Sequence, residues 1–236
     1  MKLSVLVPAY NEVSTLEEAI RRVRTVRLPK EIIVVEDGST DGTRELLQRL
    51  AAEAELARDS LNDLKVLFQP RNQGKGAAIR SALPHITGDV VIIQDADLEY
   101  DPRDYMKLLE PILSGRADVV YGTRFYGGGP HRVLFFWHYL GNQFLTLCSN
   151  VLTNLNLTDM EVGYKVFRSE VLKGLQLKSN RFGFEPEVTM KVAKRQWRVY
   201  EVPISYYGRT YAEGKKITWK DGIATFYALL RFWLWD

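Results

Sequence analysis

The sequence predicts an α/β fold: a single domain with a mostly parallel, twisted sheet flanked by helices. Three observations indicate this. Apolar runs of strand length alternate with helical patterns over the first half of the 236-residue chain. The run Val90–Ile93 is short and uninterrupted, as expected for a strand that is covered on both faces. No linker, repeat or low-complexity segment divides the chain, so we expect residues 1–236 to form one domain.

Each element of the predicted sheet has its own signal in the sequence. Turn residues bound six apolar runs that predict strands. These runs are Leu3–Val7, Glu31–Val35, Leu64–Phe68, Val90–Ile93, Ala117–Tyr121 and Val199–Tyr206. Apolar residues at helical spacing, or a proline at a helix start, predict the helices between and after them. The helices are expected from Leu16, after Gly42, after Gly76, from Pro102, over Leu134–Leu152, over Glu185–Lys194 and over Ile223–Trp235.

The composition narrows the class of protein. Hydrophobic residues make up 46% of the chain, which is typical of a globular protein rather than a disordered one. The net charge of +3 gives no reason to expect nucleic acid as a partner. Cys148 is the only cysteine, which excludes an intrachain disulfide and a metal site built from cysteines.

Three polar loops follow three of the predicted strands, at residues 8–12, 36–43 and 95–99. In a parallel sheet the carboxyl ends of the strands meet at one edge, where open α/β proteins bind their ligands. Asp95 and Asp97 are two residues apart, so in an extended segment both carboxylates would face the same way. Together they could hold Mg²⁺ or Mn²⁺, which prefer oxygen ligands. The alternative is that both acids only cap the turn before the next helix.

Five motifs, in this order, resemble those of family 2 glycosyltransferases, and most closely those of dolichyl- or polyprenyl-phosphate sugar synthases. The motifs are Val-Pro-Ala-Tyr-Asn-Glu (7–12), Glu-Asp-Gly-Ser-Thr-Asp-Gly-Thr (36–43), Asn-Gln-Gly-Lys-Gly (72–76), Asp-Ala-Asp (95–97) and Gly-Thr-Arg-Phe (122–125). An acidic segment at 158–165 and a basic loop at 209–216 are also similar. The resemblance implies a GT-A fold, a nucleotide-sugar donor, a divalent metal and inversion at the anomeric carbon. Residues 1–121 would form the nucleotide-sugar half and residues 122–236 the acceptor half.

The resemblance also implies which residues bind the donor. The nucleotide-sugar would be bound by Pro8, Ala9, Tyr10, Glu12, Glu36, Asp37, Lys75, Asp95, Arg209 and Lys215. The metal, Mg²⁺ or Mn²⁺, would be held by Asp95, Asp97 and Glu99. A divalent ion at this place would neutralise the charge of the leaving diphosphate.

For the acceptor, the resemblance implies a polyprenyl or dolichyl phosphate bound by Arg124, His131 and Arg132. Guanidinium groups bind phosphate bidentately, which suits this acceptor. The catalytic set would be Asp97, Arg124 and Asp159. A phosphate acceptor is already anionic near neutral pH, because its second pKa is about 6, so we expect Asp159 to position the acceptor rather than to act as an obligatory base. The alternatives are solvated surface charge for the arginines and a turn cap for Asp159.

Two aromatic stretches bear on membrane contact. Leu134–Leu152 could line a groove for an isoprenoid chain, although such a stripe is more often core. Residues 223–235 predict a helix that is too short to cross a bilayer but suited to its interface, with a helix docked on the core as the alternative. We expect a cytoplasmic protein in peripheral contact with the cytoplasmic face of a membrane. A membrane-embedded partner, or transmembrane segments after Asp236, would also be compatible with this tail.

Other functions are weighed against this one. In the same fold the acceptor could be a hydroxyl group of a sugar, protein or lipid, which would need a general base and would gain little from Arg124 and Arg132. A non-catalytic nucleotide-sugar-binding module would have no reason to keep Asp-Ala-Asp. A nucleotidyltransferase would need a glycine-rich triphosphate loop, which the sequence lacks. The signature Gln-x-x-Arg-Trp of processive polysaccharide synthases is absent too, so we expect transfer of one sugar.

Overall fold

The computed structural model contains one seven-stranded sheet with helices packed around it. It describes residues 1–57, 62–126, 132–133, 135–210, 213 and 219–235. The strands are β1 (Leu3–Ala9), β2 (Lys30–Glu36), β3 (Asn62–Phe68), β4 (Val90–Ile93), β5 (Val119–Thr123), β6 (Lys165–Arg168) and β7 (Val199–Pro203). The helices are α1 (Leu16–Thr25), α2 (Thr43–Ala57), α3 (Lys75–Ala82), α4 (Tyr105–Leu113), α5 (Phe136–Thr153), α6 (Ser169–Gly174), α7 (Phe184–Lys194) and α8 (Trp219–Leu234). The predicted α/β class is confirmed.

The strand order is β3-β2-β1-β4-β6-β5-β7, and only β6 runs antiparallel to its neighbours in the described sheet. The hydrophobic pattern does not predict β6. This strand is four residues long and begins with Lys165, whose charge interrupts the apolar run. Lys165 is nevertheless buried, because its ammonium group donates hydrogen bonds to the carbonyls of Met160 and Val162.

The centre of the sheet is covered on both faces. The side chains of β1, β2 and β4 are almost all buried, which explains why their sequences are apolar runs rather than alternating patterns. β1 pairs in parallel with both β2 and β4. The loops at residues 8–12, 37–43 and 94–99 therefore leave the sheet side by side at one edge, as predicted.

The aromatic stretch after β5 forms α5. This helix is not the buried core helix that such a stripe more often forms. Within α5 only Thr146 and Ser149 are buried, while Trp137 is 76% and Val151 is 75% exposed. The expectation of core is therefore wrong for most of this helix. By contrast, α8 packs against α7 and α5 and buries Phe232, so the docked-helix alternative holds for the tail.

None of the helices in the described part of the chain is both long enough and apolar enough to cross a bilayer.

Candidate active site

A cavity of about 1490 Å³ opens at the carboxyl ends of β1, β2 and β4. Most of the side chains that the sequence assigns to the donor, the metal or the acceptor line it. Those in its wall are Pro8, Ala9, Tyr10, Glu12, Asp37, Lys75, Asp95, Asp97, Glu99, Arg124, Arg132 and Arg209. They come from segments up to 200 residues apart, and the parallel topology of the sheet brings the first of these segments together.

One end of the cavity is built from the loops after β1 and β2, where the sequence predicts nucleotide-sugar binding. The Asp37 carboxylate accepts hydrogen bonds from the backbone N–H groups of Gln73 (2.8 Å) and Gly74 (2.7 Å), which fixes the loop that leads into α3. Glu36 does not line the cavity. It is buried beneath the loop, where it accepts hydrogen bonds from Ser39 and Arg44, so its contribution in this structure is to hold the loop.

The acidic segment after β4 is a turn and not the extended chain from which a common direction for Asp95 and Asp97 was expected. Leu98 has a left-handed backbone (φ 63°), a conformation that is strained for a leucine and that tends to occur at functional sites. Asp95, Asp97 and Glu99 nevertheless all reach the cavity wall. The turn, rather than the two-residue period of a strand, is what gathers the three carboxylates.

Two basic side chains pair with this acidic cluster and offset part of its negative charge. The Lys75 ammonium lies 2.9 Å from Asp95, and the Arg209 guanidinium lies 3.0 Å from Asp97, 3.3 Å from Glu12 and 3.6 Å from Glu99. Burial, together with the charges of Asp95 and Glu99, raises the pKa of the Asp97 carboxyl to about 7, although Arg209 acts in the opposite direction. The cluster therefore carries more negative charge than its own cations balance.

This donor set fits a hard divalent cation. Carboxylate oxygens are the ligands that Mg²⁺ and Mn²⁺ prefer, and the Arg209 guanidinium already places positive charge among three of them. Among the residues that the structure describes, no three His, Cys, Asp or Glu side chains stand at metal-ligating spacing. Asp95, Asp97 and Glu99 thus offer the right type of ligand atom but are not assembled as a ligand set in this structure, where Arg209 pairs with Asp97 and Glu99.

Arg124 and Asp159 form a buried pair at the other side of the cavity. Arg124 Nε and Nη2 each lie 2.7 Å from a different oxygen of Asp159, and the Asn142 amide donates a further hydrogen bond to that carboxylate. The guanidinium also lies 5.2 Å from the centre of the Tyr206 ring. Both oxygens of Asp159 are occupied by donors, so this carboxylate orients Arg124 and is poorly placed to accept a proton.

The remaining predicted acceptor residues are placed less deeply. Arg132 is partly exposed and donates hydrogen bonds to the carbonyl of Gly208 (3.0 Å) and to Glu213 (2.8 Å), which links the segment before α5 to the loop that carries Arg209. His131 and Lys215 lie outside the described residues, so their predicted roles stay predictions.

Sequence reasoning missed three acids of the cavity wall, Glu161, Glu185 and Asp221. Glu161 lies inside the acidic segment at 158–165, where the resemblance drew attention to Asp159 alone. Glu185 is in the first turn of α7, and an acid at that place is ordinarily explained by the helix dipole.

The far side of the cavity is apolar. Phe144 on α5 and Phe226 on α8 have ring centres 6.3 Å apart, and Trp137 and Ile223 extend the same wall. This wall continues onto the exposed face of α5. The isoprenoid groove that the aromatic stripe could line stays a prediction.

Comparison with known proteins shows the family. A model described as glycosyl transferase family 2 matches residues 4–175. The chain belongs to this family.

Several curated relatives carry more specific names. The chain is 29% identical to an undecaprenyl-phosphate mannosyltransferase from Micrococcus luteus, with 91% of this chain and 87% of the relative covered. It is 30% identical to a dolichol-phosphate mannosyltransferase from Pyrococcus furiosus (91% and 59% covered) and 31% identical to glycosyltransferase AglJ from Haloferax volcanii (87% and 63% covered). The chain thus spans about three fifths of the length of the last two.

Solved structures support the fold. Glucosyl-3-phosphoglycerate synthase from Mycobacterium tuberculosis, in complex with Mn²⁺, UDP and phosphoglyceric acid, superposes with a TM-score of 0.74 at 20% identity, covering 99% of this chain and 78% of that one. The same enzyme with Mg²⁺ and UDP gives a TM-score of 0.72, also at 20% identity, with 98% and 79% covered. The fold of this chain is therefore GT-A-like, as the resemblance implied.

Proposed function

We propose that this chain is an inverting, metal-dependent glycosyltransferase that moves one sugar from a nucleotide-sugar to a polyprenyl or dolichyl phosphate at a membrane surface. One observation carries the proposal. A single cavity combines an acidic cluster suited to a metal-bound diphosphate with a buried, carboxylate-oriented Arg124, and it ends in an apolar wall. The names of the relatives, at about 30% identity, support the same class of acceptor.

In the proposed reaction the bond from the anomeric carbon to the diphosphate breaks, and a bond to an acceptor phosphate oxygen forms on the opposite face of the sugar. Mg²⁺ or Mn²⁺, held by Asp95, Asp97 and Glu99, would neutralise the charge of the leaving diphosphate. Arg209, which lies 3.0 Å from Asp97, would add a second positive charge there. The acceptor phosphate needs little proton abstraction, because its second pKa is about 6.

Arg124 is assigned to the acceptor phosphate. Its guanidinium lines the cavity, and Asp159 holds it in one orientation, so its position requires no ordering when the acceptor arrives. Asp159 occupies the Nε/Nη2 edge, so the phosphate would be bound by the other N–H groups of the guanidinium, which carries five in all. A hydroxyl acceptor would instead require a free general base, and the occupied oxygens of Asp159 do not favour that alternative.

The exposed apolar face of α5 is assigned to the lipid surface. Trp137 and Phe144 belong both to this exposed face and to the cavity wall, so an isoprenoid chain could lie along α5 towards Arg124. We expect the protein to float with liposomes that contain polyprenyl phosphate. The double variant Trp137→Ser/Val151→Ser should float several-fold less, whereas the exposed Leu56→Ser on α2 should float normally. Equal flotation of all three proteins would contradict this assignment.

The deciding experiment is sugar transfer from radiolabelled GDP-mannose and UDP-glucose to undecaprenyl and dolichyl phosphates, with Mg²⁺, Mn²⁺ or EDTA. We expect metal-dependent label in the lipid fraction. Arg124→Lys keeps a charge but loses the bidentate fork, so it should raise the KM for the lipid phosphate and leave donor binding unchanged. Arg116→Lys, at an exposed ion pair, is the control.

Two other outcomes would change the conclusion. Donor turnover without a labelled lipid would move the acceptor to a hydroxyl group or to water. No turnover together with no binding of either nucleotide-sugar would leave only the fold, and the enzymatic proposal would be abandoned.

A further inference from the structure

Glu185 and Glu161 are two acids of the cavity wall to which the mechanism above gives no role. Glu185 is 5% exposed, and its Oε1 lies 2.9 Å from the Lys75 ammonium. Its Oε2 is buried and has no hydrogen-bond partner among the described residues. Glu161 is partly covered, and its Oε1 is also buried without a partner in that part of the chain. Both side chains line the cavity, so a change of side-chain torsion would bring either unpaired oxygen to a ligand there.

Unpaired buried acceptors call for an explanation. Leaving a buried polar atom without a hydrogen bond costs about 1–3 kcal/mol, and native structures contain few of them. The fold can satisfy a buried carboxylate where its role is structural. Glu187, also on α7, is fully buried and accepts hydrogen bonds from the backbone of Lys178 and Ser179 and from the Lys191 ammonium. The contrast on one helix indicates that Glu185 is left open for a ligand.

The position of the two acids defines which part of a ligand they would meet. Lys75 binds Glu185 and Asp95 at the same distance, 2.9 Å, so only one ammonium group separates Glu185 from the acidic cluster. The segment of Glu161 also packs closely against Asp95. A Cβ atom on Gly163 would lie 2.1 Å from Asp95 Oδ2, so only glycine fits at this position.

On its other side the segment of Glu161 leads to the acceptor residues. Asp159, two residues earlier, holds Arg124. The charges of Arg124 and Asp159 both act on the Glu161 carboxyl, although less than burial and Glu185 do. The two acids therefore lie between the cluster assigned to the diphosphate and the arginine assigned to the acceptor phosphate. In a transfer reaction that interval is occupied by the sugar itself.

The hydrogen-bonding capacity of the Glu161 and Glu185 carboxyl groups suits the hydroxyl groups of a sugar. Burial and the charge of Glu185 raise the pKa of the Glu161 carboxyl to about 8, so this group keeps its proton at neutral pH and can both donate and accept a hydrogen bond. Glu185, paired with Lys75, presents an acceptor. Sugar hydroxyls offer the complementary donor and acceptor.

We propose that Glu185 and Glu161 form the hexose-binding subsite of the donor and hydrogen-bond hydroxyls of the transferred sugar. The inference deepens the proposed function and rests on it. Such a site discriminates between sugars, because a donor that lacks the matching hydroxyl leaves a buried carboxyl group unpaired. The two acids are thus assigned to sugar selection rather than to holding the nucleotide.

Calorimetric binding, with Mg²⁺ present, tests this through pairs of ligands that differ only in the sugar: GDP against GDP-mannose and UDP against UDP-glucose. The measured quantity is the ratio of the two Kd values for whichever pair the wild type binds. Glu185→Gln should reduce the advantage of the nucleotide-sugar over the nucleotide by about tenfold and leave the Kd of the nucleotide unchanged. Glu161→Met should do the same, whereas Glu161→Gln, which keeps one donor and one acceptor, should retain most of the advantage.

Glu187→Gln is the matched control on α7. It should lower the melting temperature, because it disturbs a saturated buried carboxylate, and keep the wild-type ratio of Kd values. If Glu185→Gln and Glu161→Met weaken the nucleotide and the nucleotide-sugar equally, the acids only shape the pocket and the inference is wrong. If the wild type binds neither nucleotide series, the proposed function fails with it. If the wild type transfers sugar but Glu185→Gln and Glu161→Met keep its ratio of Kd values, the inference is wrong and the proposed function stands.

Discussion

Glu31 and Glu185 are both buried glutamates bound to a lysine, but they lie at opposite ends of the sheet. Glu31, at the amino end of β2, is bound by Lys65 (2.8 Å) and also accepts hydrogen bonds from Ser4, Thr87 and the backbone of Gly88. Glu185, at the carboxyl edge, is bound by Lys75 and keeps one buried oxygen unpaired. Both residues are buried glutamates. They differ in how many of their carboxylate oxygens have hydrogen-bond partners.

The difference separates structural from functional charge in this fold. The buried carboxylate at the amino end is saturated by its own chain. At the carboxyl end Asp95, Asp97, Glu99 and Glu185 share Lys75 and Arg209, and Glu161 and Glu185 each keep a buried oxygen without a partner among the described residues. A substitution at the amino end should therefore change stability and spare activity, and a substitution at the carboxyl end should do the reverse.

The largest expected effect is at Asp97. Asp97→Asn should lower sugar transfer by about two to three orders of magnitude, because it removes a carboxylate from the cluster that would neutralise the leaving diphosphate. EDTA should lower the wild-type rate by a similar factor. The melting temperature should stay level or rise, since burial and the neighbouring acids already raise the pKa of this carboxyl to about 7. Initial rates and thermal unfolding check this, with the exposed Asp63→Asn as control. A fully active Asp97→Asn protein would contradict the assignment.

The second effect is on stability. Glu31→Gln should reduce the free energy of unfolding by about 3 kcal/mol, because the amide cannot accept all the hydrogen bonds that converge on the carboxylate and leaves buried donors unpaired. The kcat of the folded fraction should not change. Urea unfolding and transfer rates measure the two quantities separately. Glu17→Gln, at an exposed ion pair, should alter neither. A large loss of kcat in Glu31→Gln would break the division between the two ends.

The third effect is the pH dependence of stability, which should have opposite signs at the two ends. Burial opposes ionisation of Glu31, but hydrogen bonds from Lys65, Ser4 and Thr87 lower its pKa to about 2, so its contribution is present above pH 4.5 and is lost as the pH falls towards 2. Burial and the charge of Glu185 raise the pKa of Glu161 to about 8, so stability falls as the pH rises from 4.5 to 8.

Glu161→Gln isolates the second of these. Glu185, Lys165, Arg124 and Asp159 face this carboxyl, and the variant leaves all four in place. Its urea midpoint should equal that of the wild type at pH 5 and exceed it increasingly towards pH 9. A constant difference between the two proteins across this range would mean that Glu161 titrates normally in the folded state.

The sequence predicts the carboxyl edge well where local patterns decide it. The apolar runs of β1, β2 and β4 identify buried parallel strands, and parallel pairing alone then brings Pro8, Asp37 and Asp95 together. These are consequences of continuous apolar runs and of strand direction, and the runs are visible in a short window of sequence.

Pairings over long distances are where prediction from sequence fails. Arg209 lies among Glu12, Asp97 and Glu99, and its sequence window contains no information about that contact. The open oxygens of Glu161 and Glu185 depend on which donors the folded chain leaves nearby. The sequence does not predict β6, because Lys165 is buried only through hydrogen bonds to carbonyl groups outside the strand. Whether a buried charged group finds all its hydrogen-bond partners depends on the tertiary structure.

The smallest predicted effect sharpens the comparison between the two lysines. Lys65 is 34% exposed, and neutral donors satisfy Glu31 from the other side, so Lys65→Met should cost no more than about 1 kcal/mol of unfolding free energy. Lys75 is partly buried between Asp95 and Glu185, and Lys75→Met should instead weaken nucleotide-sugar binding. Lys107, an exposed lysine that also pairs with a buried acid, Asp104, provides the control variant Lys107→Met for Lys65→Met in urea unfolding. A loss well above 1 kcal/mol in Lys65→Met would show that Glu31 depends on its lysine as strongly as the carboxyl edge does, and the two ends would then differ in ligand access alone.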